Sequence, residues 1–136
     1  MNVRKLSIIL AVVAIIAATL ACSALNTGPS TTNFRMTTDE NGTNTTTTYA
    51  PSDAFNVFFD VSGIDPGTQF EAKWYAVNAE GFDTTQPIKV SDYTYESGVS
   101  SIYFQLTYSS DWPTGDYRVE VYMNGTKIGE QQFSVQ

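Results

Sequence analysis

The side chains best suited to chemistry in this sequence are one cysteine and fourteen carboxylates. Cys22 is the only Cys, and the chain contains no His. Without His, neither a Ser-His-Asp nor a Cys-His nucleophile system can be assembled, and the usual zinc ligands are missing. The remaining route to catalysis is a pair of carboxylates, as in glycoside hydrolysis, where two acids stand about 5–10 Å apart in a cleft.

The carboxylates available for such a pair fall mostly at outward positions of predicted strands. They are Asp60, Glu71, Asp92 and Glu120. Acids at such positions normally form solvated surface. A small domain also leaves little room for a substrate cleft. We therefore expect no enzyme, no catalytic residue and no cofactor. A small carboxylate-dependent enzyme acting on glycans stays as a third alternative behind the two function hypotheses given below.

Residues 39–44, Asp-Glu-Asn-Gly-Thr-Asn, begin like an acidic calcium loop. A calcium-binding EF-hand loop needs Gly at its sixth position and a bidentate Glu at its twelfth. Here Gly42 is fourth and Ala50 is twelfth. The segment therefore predicts a turn, and we expect no metal site.

The N-terminal region has the pattern of an export signal, here residues 1–21. Arg4 and Lys5 precede an apolar run over residues 6–20, which ends in small residues before Cys22. This order is typical of a secretory signal peptide. The alternative is an uncleaved anchor, since residues 6–25 just reach the roughly 20 residues that spanning requires. No basic residue follows until Arg35, which favours cleavage.

Residues 19–22, Thr-Leu-Ala-Cys, resemble the lipobox of bacterial lipoproteins, with Thr19 where Leu is usual. In that family the Cys is diacylated and becomes the new N-terminus, so the resemblance implies lipidation of Cys22. The solitude of Cys22 agrees, because it cannot form an internal disulfide. We expect an exported protein held to the cell membrane or outer membrane by its N-terminal lipid, with the domain extracytoplasmic.

The charge of the mature chain excludes one class of partner. Removing residues 1–21 leaves 5 basic and 14 acidic side chains, a formal net charge of −9. Nucleic acid and anionic lipid headgroups are drawn to basic surfaces. We expect no nucleic-acid partner, and contact with the membrane only through the lipid.

Composition then divides the mature chain into a tether and a domain. Residues 22–31 are small, polar and turn-prone, which predicts a flexible Thr/Asn-rich tether after lipidated Cys22. Residues 32–136 form the predicted domain. Within it, residues 33–50 allow two interpretations: an edge hairpin with Phe34 and Met36 facing the core, or continued disorder up to Tyr49.

From residue 55 onward, apolar and polar residues alternate in short runs separated by turn signals. This pattern predicts half-buried strands, with a weaker edge strand at residues 88–95 and a hairpin at Asn124-Gly125. No segment after Cys22 has the periodicity of an amphipathic helix. We expect an all-β fold, a single antiparallel β-sandwich of about 7–8 strands.

Two features of this region resemble immunoglobulin-like and fibronectin type III-like domains. They are Trp74 in an early strand and the run Gly-Asp-Tyr-Arg-Val-Glu-Val at residues 115–121. The resemblance implies that Trp74 is the central core residue and that the Tyr117 hydroxyl bonds to upstream backbone. The Cys pair of antibody domains is absent, so the kinship is with disulfide-free members. Fold does not carry function with it.

The remaining candidates for a binding face are aromatic. Tyr75, Tyr103 and Tyr122 fall at outward positions of their strands, and Trp112 lies in a turn beside Pro113. Such residues give large contact areas at low entropy cost, so they predict a face for a protein or glycan partner. The alternative is that the Tyr residues stabilise cross-strand pairs on a solvent-facing sheet, with Trp112 capping the sandwich.

Two function hypotheses follow. The first is a non-catalytic cell-envelope lipoprotein whose immunoglobulin-like domain binds a partner through a contiguous aromatic patch. The alternative is a structural accessory subunit of an envelope or surface assembly. That alternative predicts an unprotected edge strand.

Overall fold

The computed structural model describes residues 28–136. The predicted signal peptide, Cys22 and most of the predicted tether therefore lie outside the described residues. Within residues 28–136 no helix is long and apolar enough to cross a membrane. The strands are β1 (Ser30–Thr37), β2 (Thr48–Tyr49), β3 (Phe55–Ser62), β4 (Gln69–Ala79), β5 (Lys89–Thr94), β6 (Ser101–Leu106), β7 (Gly115–Met123) and β8 (Thr126–Val135).

These eight strands form two packed sheets. One has three strands in the order β1-β3-β6, and the other has five in the order β2-β8-β7-β4-β5. All neighbours pair antiparallel except β2 and β8, which are parallel. The predicted all-β sandwich is confirmed, and β5 is an edge strand.

The core arises from the alternation along the long strands. In β4, Phe70, Ala72, Trp74 and Ala76 are all fully buried, while the residues between them point outward. Trp74 pairs with Val119 of β7 and packs edge-on to Phe133. Its indole Nε1 has no hydrogen-bond partner among the described residues. The indole is therefore held by packing alone.

Residues 33–50 follow neither of the two interpretations offered for them. β1 pairs with β3, and the chain then crosses to the other sheet, where β2 pairs with β8. Only one bridge, between Thr37 and Thr45, resembles a hairpin. The crossing is fixed by Tyr49, which is buried and donates its hydroxyl to the Thr37 carbonyl oxygen at 2.8 Å.

Two details of β1 bear on the sequence predictions. Met36 is buried and Phe34 packs partly buried against the core, where it stacks on Phe59 with ring centroids 5.0 Å apart. β1 begins at Ser30, so the last two residues of the predicted tether pair with β3. The domain therefore starts two residues earlier than predicted.

Residues 38–44, which we call the covering loop, fold over the outer face of the three-stranded sheet. Phe58 points outward from β3, yet it is only 6% exposed because this loop lies on it. Gly42 makes the closest approach: a Cβ there would stand 2.9 Å from Cδ1 of Phe58. The loop is fixed by the Asp39 carboxylate, which accepts hydrogen bonds from Thr43 and from the Asn44 amide. This is the predicted turn, and its hydrogen bonds are made to the Asp39 carboxylate.

Candidate functional site

The aromatic residues of the predicted binding face do not come together. Tyr75 and Tyr122 lie on the outer face of the five-stranded sheet, whereas Tyr103 lies on the outer face of the three-stranded sheet. Trp112 is only 3% exposed. The prediction of one contiguous patch is thereby corrected. Alternation tells whether a residue points away from its own sheet, but it does not tell which sheet the residue belongs to.

Tyr75 and Tyr122 each lie under a cation. The Arg118 guanidinium carbon is 4.2 Å from the ring centroid of Tyr75, and the Lys73 nitrogen is 4.6 Å from that of Tyr122. Both Tyr residues are half-buried. Cross-strand cation–π pairs of this kind stabilise a solvent-facing sheet. These two rings therefore have partners within the domain.

The same surface carries a network of ion pairs, and we call it the charged face. Lys73 pairs with Glu71 at 3.1 Å, while Arg118 and Lys127 both pair with Glu120, at 3.2 and 3.5 Å. Burial raises the pKa of Glu120. Hydrogen bonds from Tyr122 and Arg118 and the charge of Lys127 lower this pKa by more than burial raises it, so the net shift is downward. The charged face consists of Glu71, Lys73, Tyr75, Arg118, Glu120, Tyr122, Lys127 and Glu130.

The four carboxylates considered for catalysis are dispersed. Asp60 lies on the outer side of the three-stranded sheet, where it accepts a hydrogen bond from Asn33 at 2.8 Å and pairs with Arg35. Glu71 and Glu120 belong to the charged face, and Asp92 lies on β5. Among residues 28–136, no group of three or more His, Cys, Asp or Glu side chains could hold a metal ion.

Trp112 is the centre of an aromatic cluster at the end of the sandwich from which the β4–β5 and β6–β7 loops emerge. It stacks on Phe55 and Tyr108, with centroids 4.5 and 4.7 Å apart. Its indole Nε1 donates to the Asp53 carbonyl at 3.0 Å, and its backbone N–H donates to Pro51. Of the two interpretations of Trp112, the cap describes this arrangement.

Tyr117 braces the same end of the sandwich. Its ring is buried, and its hydroxyl donates to the Pro113 carbonyl oxygen at 2.7 Å, four residues upstream. Tyr108 completes the cluster and remains 46% exposed. Sequence reasoning missed Tyr108 as a surface residue, because its alternation with neighbouring apolar positions predicts an inward side chain. The strand ends at Leu106, so the alternation does not extend that far.

The sheet edges differ in how they are protected against pairing with another chain. Proteins commonly protect edges with short strands, charged side chains or bulges. β1 has a register shift at Asn33, whose φ is +56°, followed by Arg35. β2 has only two residues, and the part of β8 left beside it carries Lys127 and Glu130.

The remaining two edges lie on the other side of the sandwich. β5 carries Lys89 and Asp92. β6 reads Ser-Ile-Tyr-Phe-Gln-Leu, with no charge, no Pro and no Gly, and none of its pairs with β3 shows a register shift. Among the edge strands of residues 28–136, β6 is the one that has none of these protective features.

The β6 edge presents free backbone groups. The Val61 amide donates to the Ser100 carbonyl at 2.9 Å, so Ser100 and every second residue after it direct their backbone groups toward β3. The residues between them, Ser101, Tyr103 and Gln105, direct N–H and C=O away from β3. In the described structure β6 has a strand neighbour on one side only. An incoming strand can therefore pair with these three residues.

A groove accompanies this edge. It has a volume of about 400 Å³ and lies between β5 and β6, where the two sheets open. Tyr103 stands at its rim, 46% exposed, with its ring stacked on Phe58 at 5.0 Å. The other lining residues are mostly apolar, and they are Asp92, Tyr93, Val99, Ser101, Ile102 and Phe104.

Comparison with solved structures identifies the fold. An immunoglobulin-like protein from Pseudomonas aeruginosa matches 79% of this chain and 97% of its own, with a TM-score of 0.58 and 14% sequence identity. At this identity the likeness shows the fold alone. The chain therefore has an immunoglobulin-like fold.

Other matches are more distant. An alkylpurine DNA glycosylase from Pseudomonas fluorescens, bound to DNA containing an abasic site analog, matches 79% of this chain but 30% of its own, with a TM-score of 0.50 and 11% identity. A superoxide reductase (neelaredoxin) from Ignicoccus hospitalis matches over 80% of each chain with 12% identity. Its TM-score of 0.41 is too low to indicate more than a distant likeness. No family model matches the sequence, and no curated protein matches it.

Proposed function

We propose that this chain is a non-catalytic, lipid-anchored envelope protein whose immunoglobulin-like domain binds a protein partner by strand pairing at the edge of β6. The observation that carries the proposal is the contrast between β6 and the other edges. β1, β2, β5 and the exposed part of β8 are bulged, short or charged, whereas β6 has none of these features. Selection against aggregation removes such edges unless they are used.

Strand addition suits the groove beside β6. In this mode of recognition, backbone hydrogen bonds supply affinity and pockets for alternate side chains supply specificity. Ser101, Tyr103 and Gln105 offer the backbone groups, and the groove lies where every second side chain of an added strand would enter. Ile102 and Phe104 line it, so apolar side chains fit it best.

This mechanism favours the accessory-subunit hypothesis over recognition through an aromatic patch. The patch hypothesis required Tyr75, Tyr103 and Tyr122 to be contiguous, and these rings lie on opposite faces of the sandwich. The accessory-subunit hypothesis required an unprotected edge strand. Both hypotheses share the same location, which rests on the lipobox-like residues before Cys22.

Photo-crosslinking in the native envelope tests the proposal. A photoreactive phenylalanine analogue replaces Tyr103 at the β6 edge or, as the matched control, Val90, which is 42% exposed on the β5 edge. We expect a discrete protein adduct from position 103 and none from position 90. Equal adducts from both positions, or none from either, would overturn strand pairing at β6.

The location is tested in the same preparation. Mass spectrometry of the N-terminal peptide should find Cys22 as the first residue and carrying acyl chains. Cys22 in an unmodified, full-length N-terminal peptide would overturn the lipid anchor.

A further inference from the structure

We infer that the strand added to β6 is β6 of a second copy of this chain, paired antiparallel about a two-fold axis at Tyr103. This inference rests on the proposed function, because it names the partner of the same edge. The pairing would join the two three-stranded sheets into one continuous sheet of six strands. A two-fold interface of this kind uses the same surface on both copies.

The geometry of β6 defines a register for such a pair. Two residues directly opposite each other in an antiparallel pair either both direct their backbone N–H and C=O groups toward the partner strand or both direct them away from it. Since the backbone N–H and C=O of Tyr103 point away from β3, a two-fold axis can pair Tyr103 with Tyr103 of the second copy. Ser101 then pairs with Gln105, and Ile102 pairs with Phe104. Five of the six residues of β6 take part on each side.

The side chains in this register match in chemistry. On the outer face, two exposed Tyr rings meet at the centre and a Ser faces a Gln at each flank. On the inner face, Ile102 meets Phe104 beside the groove, where both are buried in the single domain. Aromatic pairs and apolar pairs across strands are favourable. β6 has no charged side chain, so the pair places no like charges of β6 opposite each other, even though the mature chain has a net charge of −9.

The β5 edge shows why this self-pairing is specific to β6. The Tyr95 amide donates to the Thr68 carbonyl, so Val90, Asp92 and Thr94 direct their backbone groups outward. A two-fold axis at the centre of that set would bring Asp92 opposite Asp92. Like charges directly opposite each other destabilise a strand pair. Charge therefore selects β6 over β5 as the edge for a second copy.

Cysteine cross-linking tests the register in the full chain. In the proposed register the Cα atoms of the two 103 residues are about 5.5 Å apart. The two 105 residues are separated by four residue positions, about 13 Å. With a short bis-maleimide, Tyr103→Cys should give a product of twice the chain mass in high yield, whereas Gln105→Cys and the control Val90→Cys should give little. The unaltered chain controls for any reaction of Cys22.

The strength of the association is tested by sedimentation velocity of the mature lipidated chain in neutral detergent. Tyr103→Lys places two cations face to face, so we expect it to weaken self-association by about tenfold or more, with Val90→Lys close to the unaltered chain. Because the acidic copies repel each other, added salt should strengthen the unaltered dimer. Circular dichroism establishes that the variants are folded.

The outcomes separate this inference from the proposed function. A Tyr103→Cys cross-linked dimer, together with a sedimentation dimer of the unaltered chain that Tyr103→Lys weakens, supports both. A photo-adduct at position 103 that contains a different protein, together with a monomeric unaltered chain, overturns the second copy and leaves strand pairing in place. A monomer with no adduct at position 103 overturns both. A dimer with equal cross-linking at positions 103 and 105 overturns the register.

Discussion

The two outer faces of the sandwich handle their outward side chains in opposite ways. On the three-stranded sheet, Phe58 points outward and is then buried by the covering loop. On the five-stranded sheet, Tyr75 and Tyr122 point outward and remain at the surface beneath Arg118 and Lys73. An outward position in a strand is therefore not the same as an exposed position, because a loop can add a further layer.

The two arrangements also differ in energetic scale. Burying a Phe side chain contributes about 1.5–3 kcal/mol. A surface ion pair contributes roughly 0–1 kcal/mol, and an exposed cation–π pair roughly 0.5–1 kcal/mol. The covered face should therefore respond strongly to one well-chosen change, whereas the charged face should respond weakly to any single change.

The largest effect is expected for Gly42→Ala. Gly42 has φ +72°, where an L side chain is strained, and the new Cβ would stand 2.9 Å from Phe58. We expect a loss of about 1–3 kcal/mol in the free energy of unfolding, measured by urea denaturation. Gly125→Ala is the matched control, because Gly125 has φ +80° and no atom of the described residues beyond its chain neighbours lies within 4 Å of a new Cβ. Equal losses at the two positions would show that contact with Phe58 contributes nothing.

A smaller effect is expected from protonating Asp39. Hydrogen bonds from the Thr43 side chain and the Asn44 backbone lower the pKa of Asp39 below its usual 3.8. A lowered carboxyl pKa contributes stability that is present above the unfolded value and is lost as pH falls through the folded value. Below about pH 3.8, we therefore expect the covering loop to loosen before the sandwich unfolds.

Amide chemical shifts measured by NMR check this order of events. The Thr43 and Asn44 amide signals should titrate together with the Phe58 ring signals, and Asp39→Ala should give these same low-pH shifts at neutral pH. Asp83→Ala is the control, because Asp83 has a pKa lowered in the same way by Thr85 but lies in a different loop. If Asp83→Ala shifted the Phe58 signals equally, the assignment to the covering loop would be wrong.

The smallest effect is expected on the charged face. Arg118→Met keeps most of the aliphatic stem but removes the ion pair with Glu120 and the cation over Tyr75. We expect a loss of about 0.5–1 kcal/mol in the free energy of unfolding, which should shrink as salt is added. Urea denaturation at low and high salt measures it. A salt-independent loss as large as that of Gly42→Ala would abolish the distinction between the two faces.

Much of the sandwich could be predicted from the sequence because the long strands alternate without interruption. The inward residues of β4, including Trp74, follow from local pattern alone, and the weaker pattern of residues 88–95 indicates an edge strand, which β5 is. In these strands the local preference and the tertiary structure agree. The predicted sandwich of about 7–8 strands therefore matches the eight strands of residues 28–136.

The features that could not be predicted depend on contacts between distant segments. Phe58 is covered by a loop that begins twenty residues earlier, and Trp112 is buried by a loop around Asp53. The crossing of residues 33–50 from one sheet to the other depends on where the Tyr49 ring packs in the core. The assignment of Tyr103 to a different sheet from Tyr75 is likewise a matter of strand order, which alternation does not encode.

The two Trp residues give the domain two built-in spectroscopic reporters. Within residues 28–136 the Trp74 indole N–H at the centre of the core has no acceptor, whereas the Trp112 indole N–H donates to the Asp53 carbonyl oxygen at the loop end. Hydrogen bonding deshields an indole proton, so the two signals should separate in a proton NMR spectrum, with Trp112 downfield. Loosening of the loop end would move one signal and leave the other in place. Global unfolding would merge them, so local and global opening can be distinguished without adding a label.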